Sequence, residues 1–209
     1  MKRLIATAAA AATLLVPGAA LAHHPLGGTT PATLTDGLLS GIGHPILGLD
    51  HLAFIVVMGV AAMLAGRRLS APLAYIATML VGVALHLAAV TVPFAEAAIA
   101  LSLLGVGAMV ASGRSFAAPV WLGAFALAGL FHGFAFGESI YGAEATPLVA
   151  YLVGLGVTQW AIAVLAGLAA VSLANASRGL QPARLAGAAV MGMGLLLAGE
   201  QAIGAVFGA

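Results

Sequence analysis

The 209-residue chain is 63% hydrophobic and only 6% charged, with 28 glycines, no cysteine and a formal net charge of +1. A mean hydropathy of +1.15 excludes an ordinary soluble domain and reads as an integral membrane protein forming one compact bundle. Without cysteine there are no disulfides, thiolate ligands or thiol catalysis, so any metal must be held by nitrogen and oxygen, and the near-neutral charge offers no footprint for nucleic acid.

The chain opens on Lys2-Arg3, a short apolar core from Leu4 to Val16, and the small-x-small run Ala20-Leu21-Ala22. This is the pattern of a secretory signal peptide over residues 1–22, whose core is too short to span a bilayer comfortably as an uncleaved anchor. Cleavage after Ala22 makes His23 the new N-terminus of an outer segment, 23–43. There His23 and His24, beside a free amine, form a candidate metal-capture tail; the plain alternative is a disordered terminus whose histidines do nothing.

Six apolar stretches follow, at about 44–65, 70–92, 95–112, 117–138, 146–174 and 183–206, each near the roughly 20 residues a helix needs to cross a bilayer. The breaks at Gly66-Arg67-Arg68, Val92-Pro93, Ser112-Gly113-Arg114, Tyr141-Gly142 and Asn175 to Pro182 are turn chemistry or charge. Small residues recur inside the stretches, as in Gly133-x-x-x-Gly137 and Gly187 to Gly194, and let helices approach closely in lipid. The predicted fold is all-α, a polytopic membrane helix bundle with six transmembrane helices in a domain spanning 44–209, after a cleaved signal peptide. Arg67, Arg68, Arg114, Arg178 and Arg184 fall in the first, third and fifth loops, whereas the second and fourth border Glu96, Glu138 and Glu144. The positive-inside rule puts the arginine loops in the cytoplasm and both mature termini in the periplasm of a bacterial inner-membrane protein, in agreement with the signal peptide.

That topology assigns a depth to each polar residue. His44, Asp50 and His51 enter from the outer end of the first span, and His86 lies about two turns from the outer end of the second. His132 and Glu138 approach the outer end of the fourth, and Glu200-Gln201 that of the sixth. Ionisable groups are costly in lipid and mark functional sites, so their shared depth argues for one outward-facing polar site for a divalent metal ion. On a straight helix His44 and His51 stand about 10 Å apart along the axis, too far for one ion with bonds of about 2 Å. Either they are successive stations, or Pro45 and Gly48 distort the first turn and bring them nearer. Asp50 points roughly 100° away from His51, ligating from another angle or accepting an imidazole N–H. The expected ligand shell joins His51 to His86 and His132. Plainer readings stand beside these: His86 as a helix-packing hydrogen bonder, His44-Pro45 as a helix start, Asp50 as a counterion, Glu138 as a solvated interfacial group, and Glu200-Gln201 as a polar cap. Met58, Met63 and Met79 read as core filler rather than soft ligands, and Gln159, near the middle of the fifth span, has no assigned partner.

The run Gly43-His44-Pro45-Ile46-Leu47-Gly48-Leu49-Asp50-His51-Leu52, followed by Phe131-His132-Gly133-Phe134-Ala135-Phe136-Gly137-Glu138, resembles the paired signature of the HupE/UreJ family of bacterial nickel permeases, and the likeness extends over the mature chain. The resemblance implies Ni2+ uptake feeding hydrogenase or urease maturation, with His44, Asp50, His51, His132 and Glu138 as the matching functional positions. It implies no resident cofactor, the metal being cargo. The expected partners are a divalent metal ion and the lipid bilayer, with room for a homo-oligomer and a downstream metallochaperone. Read from the residues alone, imidazole with carboxylate suits Ni2+, Co2+, Zn2+ and Cu2+ alike. A cobalt or other divalent-metal permease, a non-transporting metal-binding accessory protein and an intramembrane metalloenzyme are the alternatives; the last lacks His-Glu-x-x-His and dense histidine clusters. No P-loop occurs, which argues against ATP hydrolysis by this chain; the energy would come from the metal gradient, the inside-negative potential, proton exchange or a partner.

Overall fold

The computed structural model describes residues 29–176 and 181–207. The predicted signal peptide, His23, His24 and Arg178 lie outside the described residues. Seven helices and no strand occur among those described: α1 (Leu34–Leu47), α2 (Leu49–Leu64), α3 (Ala71–Leu87), α4 (Ala95–Ala111), α5 (Ala118–Glu138), α6 (Ala145–Ala176) and α7 (Pro182–Phe207).

Helices α5, α6 and α7, of 21, 32 and 26 residues, are each long and apolar enough to cross a membrane. The pair α1 and α2 passes the same test jointly but bends by 78° at its break, giving three such spans or four if the bent pair is one. Helices α3 and α4 are apolar but have 17 residues each, about 26 Å of helix.

The start of the bundle differs from the sequence expectation of one helix over 44–65. Helix begins ten residues earlier, at Leu34, because Thr33 and Asp36 form a capping box: the Thr33 hydroxyl accepts from the Asp36 N–H at 3.1 Å, and the Asp36 carboxylate accepts from the Thr33 N–H at 3.0 Å. The helix then stops at Gly48, whose φ of −75° and ψ of 99° are extended. Pro45 removes one backbone donor three residues upstream and crowds the preceding turn. Gly48 caps both sides of the break, its N–H donating to the His44 carbonyl at 3.0 Å and its carbonyl accepting from Leu52 N–H at 2.8 Å.

Glycines decide how the helices pair. A Cβ at Gly37, Gly41 or Gly59 would collide with the backbone of Pro147, Tyr151 or Ala163 respectively, so α1 and α2 run parallel to α6 with touching backbones. Gly129, Gly133 and Gly137 on α5 meet Tyr75, Met79 and His86 on α3, again in parallel. Gly107 on α4 meets Met191, and Gly187 and Gly194 on α7 meet Ala111 and Leu104, which makes that pair antiparallel. Close approach of this kind is how small residues hold helices together where lipid removes the hydrophobic incentive. Helix α2 sits at the centre: it touches every other helix, and nine of its 16 residues are buried. Met58 and Met79 fill the apolar core beside Phe54, Ile55, Leu103 and Phe125. Arg184 lies in the first turn of α7 rather than in a loop, where its Nε donates to the Ala111 carbonyl at 2.9 Å and satisfies the C-terminus of α4.

Candidate functional site

The break at Gly48 carries the last turn of α1 back over the first turn of α2. As a result the His44 and His51 rings stand 5.8 Å apart, centroid to centroid, in place of the separation a straight helix would impose. Of the two arrangements open from the sequence, distortion at Pro45 and Gly48 is the one found. Helix α5 adds His132, whose Nδ1 lies 2.8 Å from the Nδ1 of His51. All three imidazoles are buried, at 2%, 4% and 0% exposure for His44, His51 and His132, which is deep for ionisable groups in an apolar bundle. Phe136, one turn along α5 from His132, packs its ring 4.9 Å from His44 and 4.2 Å from His51. Phe54 and Tyr75 flank His132 at 4.6 and 6.0 Å.

Two hydroxyl groups set the orientation of these rings. The Tyr151 hydroxyl donates its single proton to the Phe136 carbonyl at 2.8 Å, so its oxygen accepts from His44 Nδ1–H at 3.0 Å. In the same way the Ser102 hydroxyl donates to the Ile99 carbonyl at 2.7 Å and accepts from His132 Nε2–H at 3.0 Å. With neutral rings, His132 Nδ1 then carries the lone pair and accepts from His51 Nδ1–H, which leaves the second lone pair of the set on His51 Nε2 and a third on His44 Nε2. Asp50 places a carboxylate beside these rings, its Oδ2 lying 4.0 Å from His51 Nδ1. Neither Ser102 nor Tyr151 was singled out from the sequence. The available signal was weak: a hydroxyl in an apolar helix must find a partner inside the protein, but nothing local says which one.

A separation of 2.8 Å suits a hydrogen bond; two nitrogens on one ion with bonds of about 2.0 Å stand about 3.3 Å apart in tetrahedral geometry and about 2.8 Å apart in the square-planar or octahedral geometry open to nickel. Among the described residues no three or more His, Asp and Glu side chains are grouped to hold an ion as they stand. The proton between His51 Nδ1 and His132 Nδ1 must leave before both nitrogens can bind one ion.

His86 and Glu138 lie elsewhere. The parallel packing of α3 on α5 sets His86 over Gly137, beyond His132, with its ring 4.8 Å from Phe134 and 5.9 Å from Tyr141. There it lines a separate cavity of about 440 Å³ with Phe94, Glu96, Glu138 and Gln201. His86 thus stands apart from His51 and His132, where the sequence reading grouped the three, because inter-helix register decides the grouping and the separate sequences of α3 and α5 do not state it. Glu138 is exposed at that cavity, while the His86 Nδ1 is buried there without a hydrogen-bond partner among the described residues.

Residues 11–197 match the family described as HupE / UreJ protein. The chain belongs to the HupE/UreJ family. Protein HupE of Rhizobium leguminosarum bv. viciae is 32% identical over 160 residues, covering 74% of this chain and 81% of that protein. No solved structure matches. HupE/UreJ proteins are membrane transporters or accessory proteins and not enzymes. In this HupE/UreJ chain, the first motif supplies both sides of the Gly48 break, and the second supplies His132, the Phe136 ring between the histidines, and Glu138 at the separate cavity beside His86.

Proposed function

We infer that this protein is a secondary permease that imports divalent nickel across the bacterial inner membrane, through a site formed by His44, Asp50, His51 and His132 and open to the periplasmic side. The observation that carries this reading is the convergence of three buried imidazoles and one carboxylate, from α1, α2 and α5, in a bundle otherwise filled with apolar side chains. Such groups are expensive in lipid and mark ion pathways.

The helix directions support a six-crossing topology, with the bent α1–α2 pair as the first crossing and α3 and α4 as short ones. Parallel α1–α2 with α6, parallel α3 with α5 and antiparallel α4 with α7 agree with alternate crossings. Arg67, Arg68, Arg114 and Arg184 then share the cytoplasmic end, and Glu96 and Glu138 the periplasmic end. In this reading residues 1–22 are a signal peptide, both mature termini are periplasmic, and His23 and His24 catch the ion first. The cavity lined by His86, Glu96 and Glu138 gathers the hydrated ion, and the histidine group strips it. An inside-negative potential contributes about 2.3 kcal/mol per charge per 100 mV, so a dication moves inward without nucleotide hydrolysis. The arriving metal passes to a metallochaperone for hydrogenase or urease maturation. Cobalt meets the same donors and is the nearest competing cargo.

Radioactive nickel uptake into vesicles containing the purified protein tests this. Uptake above empty vesicles, increased by an imposed inside-negative potential and competed by cobalt far better than by magnesium, is the expected result. Binding without uptake would favour an accessory role. The Tyr151→Phe variant removes the oxygen that faces His44 Nδ1 and the donor to the Phe136 carbonyl while keeping the ring. Its uptake is expected to fall by about 10- to 100-fold, as for other groups that orient a metal ligand, with the melting temperature lowered only slightly.

A further inference from the structure

Two polar side chains beside the histidine group are fully buried and make no hydrogen bond to it: Tyr75 on α3, whose ring flanks His132, and Gln159 on α6, each at 0% exposure. The Tyr75 hydroxyl and both amide atoms of Gln159 have no hydrogen-bond partner among the described residues. The buried face of α6 includes Tyr151, Leu155, Gln159 and Ala163 at four-residue spacing. Tyr151 and Leu155 back onto Gly41, and Ala163 backs onto Gly59, so Gln159 faces the bent α1–α2 pair. In that parallel register it lies level with Ile55, about one turn, or 6 Å, inward of His51. Helix α3 passes α6 in the opposite direction: Ile76 touches Gly156, and Trp160 Nε1 donates to the Leu69 carbonyl at 3.3 Å. Tyr75 therefore reaches the same depth from the other side, its ring stacked on Phe54 at 5.4 Å and 6.0 Å from that of His132.

We propose that the Gln159 amide oxygen and the Tyr75 hydroxyl form a second, oxygen-donor station, which receives the partly hydrated divalent cation from His51 and His132 and passes it toward the cytoplasm. This rests on the permease reading. The chemistry supports the order of the stations. An amide and a phenol are costly in a low-dielectric interior unless something bonds to them, and both offer oxygen lone pairs to a cation. They are neutral and weaker donors to a borderline metal than imidazole, so the ion is held long enough to clear the histidines without being trapped.

Two measurements on the full-length protein test the station: equilibrium nickel binding by calorimetry and nickel uptake into vesicles. Gln159→Leu keeps the approximate size of the side chain and removes its polar atoms. It is expected to bind nickel with the wild-type affinity at the histidine group while its uptake falls by about tenfold, and Tyr75→Phe is expected to fall by about threefold. Gln159→Glu, which keeps the side chain polar, is expected to bind a further nickel equivalent and to release it slowly, and it carries the test if the leucine variant does not fold. Uptake by folded Gln159→Leu within about twofold of wild type, or no further equivalent in Gln159→Glu, overturns the station and leaves the permease reading standing. A wild-type protein that moves no nickel overturns both.

Discussion

Replacing His51 with alanine is expected to lower nickel uptake by at least about 100-fold while the protein still inserts and folds. His51 is the ring shared by every part of the buried group: its Nδ1 meets His132 at 2.8 Å, Asp50 stands 4.0 Å away, and the His44 and Phe136 rings pack against it at 5.8 and 4.2 Å. Truncation removes one ligand and also the donor that orients His132. His132→Ala is expected to have an effect of the same size, and the double variant to be no worse than either alone, since residues acting as a unit are not additive. His86→Ala, in the separate outer cavity, is expected to raise the nickel concentration needed for half-maximal uptake by several-fold and to leave the maximal rate near wild type. Uptake by His51→Ala at half the wild-type rate or more would contradict the assignment. The comparison must be made at equal amounts of inserted protein, because a loss of about 1–3 kcal/mol of stability is expected from the unmatched His132.

The largest effect on folding is expected at Gly59. A Cβ there would meet the carbonyl and Cα of Ala163 on α6, and backbone cannot yield as a flexible side chain can. Because α2 touches every other helix, displacing it disturbs the whole bundle. Gly59→Leu is expected to cost about 3 kcal/mol or more and to leave little monodisperse protein after detergent extraction. Gly105→Ala, Gly123→Ala and Gly192→Ala are the controls: a Cβ at these helical positions meets nothing within 4 Å. They are expected to be neutral or to gain about 0.5–1 kcal/mol from reduced backbone freedom in the unfolded chain. Melting temperatures from a thermal shift assay in detergent separate the two groups, and equal melting temperatures for Gly59→Leu and Gly123→Ala would refute the packing argument.

The class of the fold was legible because a chain with 6% charged residues has few soluble solutions, and the helix ends at Gly66 and Gly113 carried their usual signals, with φ of 67° and 65° in the turns that follow. The residues of the histidine group were legible because imidazole and carboxylate inside apolar runs are conspicuous. Their grouping was not. Whether His44 meets His51 depends on how Pro45 and Gly48 combine, and the local sequence permits both a straight and a broken helix. The capping box at Thr33 and Asp36 was written plainly, yet it sits outside the most apolar run, so a hydropathy reading passed over it. The separation of His86 from His132 follows from which turn of α3 rests on Gly133 and which on Gly137, a tertiary register. The roles of Ser102 and Tyr151 come from partners 30 and 107 residues away, distances over which periodicity carries no information.

The glycine contacts also restrict how the protein can change shape. Where two backbones touch at successive turns, neither helix can slide or rotate against the other without a steric clash, so each glycine-locked pair behaves as a stiff unit. In the permease reading, alternation between outward- and inward-facing states then occurs by tilting the α3–α5 and α4–α7 pairs as rigid bodies against the α1–α2–α6 unit, in which both arms of the 78° elbow at Gly48 are held to one helix. A crosslink within α3–α5 would leave turnover intact, whereas one that ties α3–α5 to α6 would arrest it.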